Sequence, residues 1–152
     1  MYCDGCVRDS RQLRDAARSL ELARESSGKG SRYGQWVLGW LYLRGEGGVA
    51  QDYAQALALY RLAAAQNFDG AQCALGCMYE LGLGVAQDYA EALRWYQLAA
   101  AQGYPTALWN VATCHEDGHG VRKNKAEAIR WYRRAQAAGY ARAADELQRL
   151  RA

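Results

Sequence analysis

Residues 71–106 read AQCALGCMYELGLGVAQDYAEALRWYQLAAAQGYPT, and the chain contains this pattern three times. One related copy precedes the stretch and another follows it. Equivalent positions lie 36 residues apart; examples are Tyr60, Tyr96 and Tyr132. The first copy has one additional glycine in its internal loop. Self-similarity at such a period indicates a repeat architecture, in which each unit buries its apolar face against its neighbours.

Each copy encodes two helices. In the middle copy the first helix is predicted at Ala71–Leu81 and stops at the glycine-rich turn Gly82-Leu83-Gly84. The second begins at Asp88 as its N-cap, with Glu91 three residues later to complete a capping box. It ends at Gly103, a residue type that tolerates the left-handed C-cap conformation. The equivalent N-caps are Asp52 and Asn124, and the equivalent C-cap positions are Asn67 and Gly139.

These signals predict an all-α fold, a right-handed α-solenoid of antiparallel helix pairs with essentially no strand. A single proline in 152 residues agrees with a helical chain. We expect a flexible N-terminus at residues 1–9 and one domain at residues 10–152. The predicted units of that domain are an N-terminal capping helix at 10–27, three repeats at 34–70, 71–106 and 107–142, and a closing helix at 143–152.

The pattern A-x-x-x-L-G-x-x-Y-x-x-G-x-G-V-x-x-D-x-x-x-A-x-x-W-Y-x-x-A-A-x-x-G resembles the Sel-1-like repeat, a relative of the tetratricopeptide repeat. The likeness covers roughly residues 35–143. It implies an α-solenoid adaptor that scaffolds protein complexes and catalyses no reaction. The first copy departs at Leu59, where the pattern has tryptophan, and the third has Val111-Ala112 for Leu-Gly and His115 for tyrosine. In the middle copy the matching residues are Ala71, Leu75, Gly76, Tyr79, Gly82, Gly84, Val85, Asp88, Ala92, Trp95, Tyr96, Ala99, Ala100 and Gly103.

One face of the first helices is the candidate partner site. Leu75 and Tyr79 form the apolar stripe of the middle copy, and Cys73 and Cys77 lie about 200° around the helix from it. In tetratricopeptide-like stacks this face lines the concave groove, where exposed tryptophans would anchor a peptide or protein partner. The alternative is that the two tryptophans of the first copy pack against a neighbouring or terminal helix. The candidate partner-binding residues are Trp36, Trp40, Cys73, Cys77, Glu80, Trp109, Thr113 and Glu116.

Charge is unevenly distributed along the chain. The formal net charge is only +3, yet residues 122–152 carry nine basic and three acidic side chains. Nucleic-acid binding through this basic end is one interpretation, and a solvated outer face of the last helices is the one we favour. The acidic residues Glu80 and Glu116 suit a partner segment with aliphatic and basic side chains.

The compartment and the redox state are predicted from what the sequence lacks. No apolar run is as long as a membrane span, and the start MYCDGCVRDSR does not resemble a signal peptide. We therefore expect a cytoplasmic protein. Five cysteines without a secretory signal predict that all of the thiols are reduced.

Two groups of residues carry metal-ligating side chains. Cys3-x-x-Cys6 could be completed as a zinc site by Cys73 and Cys77, but no other spacing supports it. The segment His115–His119 also contains two acidic residues, although one histidine replaces the repeat's tyrosine and the other lies in a variable loop position. We therefore predict no metal and no cofactor.

A hydrolase is the alternative from another functional class. Ser26-x-x-Lys29 matches a serine-acylase motif, but we expect it in a flexible Gly/Ser segment. Some cysteine-rich relatives of the repeat family are described as β-lactamase-like and resemble repeats stapled by a cysteine near each second-helix end. Here those positions hold Ala63, Ala99 and Ala135, which removes the main support for a hydrolase.

Overall fold

The computed structural model describes the backbone of residues 16–151 and the side chains of residues 18–150. This part of the chain forms eight α-helices and no strand, so the predicted all-α solenoid of helix pairs is confirmed. The predicted flexible segment 1–9, and residues 10–15 of the predicted capping helix, lie outside the described residues. The helices are α1 (Ala16–Gly28), α2 (Arg32–Arg44), α3 (Tyr53–Ala65), α4 (Asp69–Leu81), α5 (Tyr89–Ala101), α6 (Pro105–Asp117), α7 (Lys125–Ala137) and α8 (Arg142–Arg151).

The three predicted N-caps, Asp52, Asp88 and Asn124, are present, but the capping box predicted at Asp88 does not form, because the Asp88 amide donates to the backbone oxygen of Tyr79 and not to Glu91. The Asp52 carboxylate accepts a hydrogen bond from the Gln55 amide at 3.0 Å, and Asp88 and Asn124 cap α5 and α7 in the same way. Each second helix is followed by a residue in the left-handed region, which allows the chain to reverse. Their φ angles are 57° at Asn67, 81° at Gly103 and 91° at Gly139.

Within each repeat, a buried tyrosine of the second helix packs on a small residue of the first. Gly76 in α4 faces Tyr96, and a Cβ placed on this glycine would lie 2.4 Å from the ring Cε1. Gly39 faces its own tyrosine at 2.8 Å, and in the third repeat Ala112 takes the equivalent position. The two helices of the repeat therefore approach each other closely at Gly76. The three tyrosines, each at most 1% exposed, are Tyr60, Tyr96 and Tyr132.

In the second and third repeats, the second glycine of the loop contacts the preceding repeat. Gly120 has a φ of 70°, and a Cβ there would lie 2.3 Å from the carbonyl oxygen of Tyr89 at the start of α5. Gly84 packs in the same way on the backbone of Tyr53 at the start of α3. The loop thus rests on the second helix of the preceding repeat, and both its backbone conformation and its contact require glycine.

Paired glutamines tie the first helix of a repeat to the end of its second helix. Nε2 of Gln66 donates to Oε1 of Gln35 at 2.8 Å, and Gln102 donates to Gln72 at the same distance. Gln35 and Gln72 are buried, so these hydrogen bonds offset the cost of removing their amides from water. In the third repeat the corresponding positions hold Leu108 and an alanine, so an apolar pair replaces the polar one.

No helix in the described part of the chain is both long enough and apolar enough to cross a membrane.

Candidate partner-binding face

The candidate site, called the first-helix face from here on, belongs to α2, α4 and α6. It comprises the eight predicted residues Trp36, Trp40, Cys73, Cys77, Glu80, Trp109, Thr113 and Glu116. Neighbouring first helices touch along this face, since Nδ2 of Asn110 in α6 donates a hydrogen bond to Sγ of Cys73 in α4 at 3.6 Å. This contact brings the faces of α4 and α6 together, and the exposure of the eight side chains differs widely.

The expectation that these residues line an open groove does not hold for Trp40, Cys73 and Cys77. Their exposed fractions are 5%, 0% and 6%. Residues 70–78 of α4 are all buried, because a helix in the middle of the stack is enclosed by its own pair and by neighbouring repeats. Both cysteines share a core cluster with Leu108 of α6. A position 200° from the apolar stripe thus faces another helix and not solvent.

The tryptophans of the first repeat are packed, as the alternative interpretation proposed for them. Trp40 belongs to a cluster with Leu20 of α1, the terminal helix. Trp36 is half-buried, and its ring centroid lies 5.8 Å from those of Tyr33 and Phe68. Nε1 of Trp36 is buried and has no hydrogen-bond partner among the described residues. These rings contribute mainly to the stability of the first repeat.

Trp109 is also a packing residue. Its ring centroid lies 4.9 Å from that of Tyr132 and 5.0 Å from that of Tyr140, and the Arg142 guanidinium lies over it at 5.7 Å. The side chain is half-buried between the third repeat and the start of α8. The expectation that Trp109 is an exposed anchor for a partner therefore conflicts with its contacts.

The two acidic residues of the face are held by the buried tyrosines. The Tyr96 hydroxyl donates to Oε2 of Glu80 at 2.6 Å, and the Tyr132 hydroxyl donates to Oε2 of Glu116 at 2.8 Å. The two carboxylate side chains remain 18% and 20% exposed. In the first repeat the position equivalent to Glu80 and Glu116 is Leu43. The hydrogen bond from tyrosine to glutamate therefore occurs only in the second and third repeats. Sequence reasoning missed this pairing, although its signal is a Tyr and a Glu that both recur at a spacing of 36.

An arginine of the closing helix binds one of these carboxylates. Arg149 of α8 forms ion pairs with Glu116 and with Glu146. Burial disfavours the charged form of Glu116, but hydrogen bonds from Arg149 and Tyr132 outweigh it and hold the pKa of this carboxyl below its ordinary value. Burial, followed by the hydrogen bond to Glu116, raises the pKa of the Tyr132 hydroxyl.

Glu116→Gln is expected to remove a pH-dependent contribution to stability. The folded-state pKa of Glu116 lies below its ordinary value of 4.5, so its stabilising effect is present above about pH 4.5 and is lost as the pH falls through the folded-state pKa. Urea unfolding at pH 7 and at steps between pH 5 and pH 3 should show wild type and variant converging on acidification. In an Arg149→Ala background most of this pH dependence should vanish. A wild-type advantage that is constant with pH would contradict the assignment.

Thr113 is the remaining polar residue of the face, and His119 lies outside the face but beside Glu80. Thr113 is half-buried, and its hydroxyl donates to the backbone oxygen of Asn110 at 2.8 Å. Thr113 precedes Arg149 by one repeat of 36 residues, as Glu80 precedes Glu116. His119 stacks on Tyr89 with ring centroids 4.2 Å apart, and its Nδ1 lies 3.7 Å from Oε1 of Glu80.

The cysteines depart from the prediction that all are reduced. Cys73 is disulfide-bonded, and Cys77 and Cys114 are buried. The prediction is therefore wrong at Cys73. The cytoplasmic location stays a prediction, and this disulfide weighs against it, because disulfides persist mainly in oxidising compartments.

The positions of the described residues give little support to the two alternatives considered from the sequence, a metal site and a serine hydrolase. The described residues contain no group of three or more His, Cys, Asp or Glu side chains that could hold a metal ion, and Cys3 and Cys6 lie outside them. Ser26 lies in the last turn of α1, not in a flexible segment as expected. Nζ of Lys29 lies 2.6 Å from the Glu25 carboxylate, with which it forms an exposed ion pair.

Solved structures with the same architecture include a protective antigen of uropathogenic Escherichia coli that displays an SLR fold, at 35% identity and a TM-score of 0.81. The match covers 88% of this chain and 28% of the antigen. A Sel1 repeat protein from Oxalobacter formigenes is 31% identical with a TM-score of 0.80, over 91% of this chain and 57% of that protein. The chain thus spans less than two thirds of either protein.

A more distant structure agrees on the fold alone. Cysteine rich protein B of Helicobacter pylori is 18% identical with a TM-score of 0.68, over 91% of this chain and 99% of that protein. Among curated protein sequences, none matches significantly. The sequence model of the Sel1 repeat matches residues 32–68, 70–104 and 105–140, which together make up well over half of the chain. The repeated sequence, the stacked helix pairs and these matches agree, and the chain belongs to the Sel1 repeat family.

Proposed function

We propose that this chain is a non-enzymatic protein-interaction module that binds a basic segment of a partner protein along the acidic edge of its first-helix face. Sel1 repeat proteins are generally protein-interaction modules, and the choice of surface is our own. The observation that carries it is the pair of carboxylates, Glu80 and Glu116, held one repeat apart by buried tyrosine hydroxyls.

Fixed carboxylates favour binding because little side-chain freedom is lost when a partner cation arrives. The hydrogen bonds from Tyr96 and Tyr132 orient Glu80 and Glu116 before any partner is present. Both side chains remain partly exposed, and because Arg149 of this chain already binds Glu116, we expect the partner's guanidinium at Glu80. A charge-assisted hydrogen bond to such a group is stronger than a neutral one.

The closing helix supports the choice of a basic partner. Arg149 of α8 binds Glu116, so an arginine on a helix packed at this edge fits the carboxylate. At the equivalent position one repeat earlier the chain has Thr113 and no arginine. A partner side chain near Glu80 would make the interaction that Arg149 makes with Glu116.

The basic C-terminal end does not support a second function. Arg130 pairs with Glu127 at 2.6 Å, and Arg134 lies over the Trp131 ring at 4.2 Å. These arginines and Arg149 already interact within the chain, so the charge count overstates what a nucleic acid would meet.

The test changes the charge at Glu80 in two ways. Glu80→Gln keeps a hydrogen-bond acceptor for Tyr96 and removes the charge, and Thr113→Arg supplies an internal competitor for Glu80. The matched control is Glu91→Gln in the first turn of α5, where the carboxylate pairs with Arg94. Partners are identified by quantitative affinity purification with the tagged chain, and dissociation constants are then measured with the purified partner.

We expect both face variants to keep the wild-type melting temperature. Their dissociation constants for the partner should rise by about tenfold or more, because a charge-assisted contact is lost. Glu91→Gln should bind as wild type does. If the face variants bind normally while the control loses the partner, the second-helix surface is the site and the proposal fails.

A further inference from the structure

An apolar groove of about 420 Å³ lies between α1 and α2, at the end of the helix stack opposite α8. Four large apolar side chains are exposed in the described part of the chain, and two of them, Leu22 and Tyr33, line this groove. Their exposed fractions are 58% and 51%. Ala23 of α1 and Val37 of α2 add to its apolar lining. Within residues 16–151, only α1, α2 and the loop between them line the groove.

The register of α1 is that of the second helix of a repeat. The left-handed residue Gly30 follows α1, as Asn67 follows α3 and Gly103 follows α5. With these positions aligned, Ala23 stands where each repeat has its buried tyrosine. The second helices α3 and α5 pack on the first helices α2 and α4 that precede them. The groove beside α1 is the position that such a first helix would occupy.

In the second and third repeats, the preceding first helix covers the positions that form this groove. Gly70 of α4, the equivalent of Tyr33, is buried, and a Cβ placed on it would lie 3.4 Å from Nε1 of Trp36 in α2. Asn110 of α6, the equivalent of Val37, is buried and donates a hydrogen bond to a cysteine Sγ of α4 at 3.6 Å. A helix in the groove beside α1 would therefore make contacts that the stack already makes twice.

We propose that this groove binds an amphipathic helix of a partner protein, which takes the place of a first helix and has an acidic fourth residue and a bulky apolar eighth residue. Such a helix would bury the side chains of Leu22 and Tyr33, and the removal of apolar surface from water favours binding. The groove is separate from the acidic edge of the first-helix face. The inference therefore goes beyond the proposed function and can fail independently of it.

Lys29 accounts for the acidic residue. In the complete repeats its position holds Gln66 or Gln102, whose Nε2 donates to the buried glutamine that is the fourth residue of the first helix. An ammonium at the same position favours a carboxylate over an amide. Nζ of Lys29 pairs with Glu25, but the two side chains are 71% and 63% exposed, and such a pair contributes little to stability. Lys29 can therefore turn to a partner carboxylate at little cost.

Ala23 accounts for the bulky residue. The eighth residue of a first helix is Gly39 in α2 and Gly76 in α4, and each faces the ring of a buried tyrosine. Because α1 has Ala23 in place of that tyrosine, a glycine opposite it would leave the space of the ring empty. A leucine on the partner helix would fill this space, and its burial favours binding.

A fluorescein-labelled peptide with the sequence of α4, Asp69–Leu81, is the probe. Cys73→Ala and Cys77→Ala remove its thiols, and Gln72→Glu and Gly76→Leu supply the acidic and the bulky residue. One control peptide keeps the glutamine, and the other has Gly76→Ala in place of Gly76→Leu. Neither control has a lower helix propensity than the probe. Fluorescence anisotropy at low ionic strength gives each dissociation constant with the full chain.

We expect the probe to bind about threefold more tightly than the glutamine peptide and at least about tenfold more tightly than the alanine peptide. Lys29→Gln in the protein should abolish the first difference and leave the second. Leu22→Glu should weaken binding of the probe by at least about tenfold. Leu98→Glu is the matched control, since Leu98 is 51% exposed on α5, outside the groove, and this variant should bind as wild type does. Both leucine variants should keep the wild-type melting temperature, because both side chains are exposed.

Photo-cross-linking identifies what lies in the groove of the full chain. A benzoylphenylalanine introduced in place of Val37 should cross-link to the probe. Cross-links confined to another part of the same chain, or a dimer that Leu22→Glu dissociates, would show that the chain itself fills the groove and would overturn the proposal. A probe that does not bind, or that binds the Leu22→Glu variant as tightly as wild type, would overturn it as well.

Discussion

Replacing Gly76 by leucine is expected to lower the free energy of unfolding by at least about 3 kcal/mol or to prevent folding. A Cβ at this position would lie 2.4 Å from Cε1 and 2.5 Å from Cδ1 of Tyr96, before any further side-chain atom is added. The ring cannot move away easily, because it is fully buried and its hydroxyl is bound to Glu80. Urea denaturation at neutral pH measures the loss.

Gly28→Leu is the matched control for this substitution. Gly28 lies at the end of α1 with no heavy atom within 4 Å of a Cβ placed on it, so the same change should alter stability by less than about 0.5 kcal/mol. Because the third repeat has Ala112 beside Tyr132, Gly76→Ala should cost less than the leucine variant. A Gly76→Leu protein as stable as wild type would show that the helices are not packed as described.

Trp109→Ala is expected to destabilise the protein by about 3 kcal/mol, as truncation of a packed tryptophan does. The ring contacts Tyr132 and Tyr140 at centroid distances of 4.9 Å and 5.0 Å and lies under the Arg142 guanidinium. The contacts that are lost lie between the third repeat and α8. The melting temperature should therefore decrease, and the last two helices should exchange their amide hydrogens faster.

Leu98→Ala provides the comparison for this truncation. Leu98 is 51% exposed on α5, so removing most of its side chain should change stability by less than about 0.5 kcal/mol. If Trp109→Ala kept its melting temperature but lost a protein partner, Trp109 would be a binding anchor, as the helix register alone suggested, and its packing role would be refuted.

The helix boundaries were accessible from sequence because local chemistry determines them. The N-cap at Asp88 and the left-handed residue Gly103 each act on the few residues beside them. The closeness of Gly76 to Tyr96 could also be predicted, because the repeat pattern places glycine where no side chain fits. These features depend on contacts that recur in each repeat.

The exposure of the site residues could not be predicted in this way. A helix register states which residues share a face, but it does not state what lies opposite that face. For Cys73 and Cys77 the neighbour is α6, and for Trp40 it is α1, so side chains expected in a groove became part of the core. In a solenoid each first helix is enclosed on several sides, and a single amphipathic stripe is therefore a poor guide to its exposure.

The amino-acid sequence alone determined the repeat, its three copies, the helix pairs and the family, because each follows from a period of 36 residues and from local capping and turn chemistry. The tertiary structure decided which polar groups meet. It brought Tyr96 to Glu80, Tyr132 to Glu116 and Arg149 to the same carboxylate. These contacts join different helices, and the angle and spacing at which the helices pack, which no local signal encodes, determine whether the atoms come within hydrogen-bonding distance.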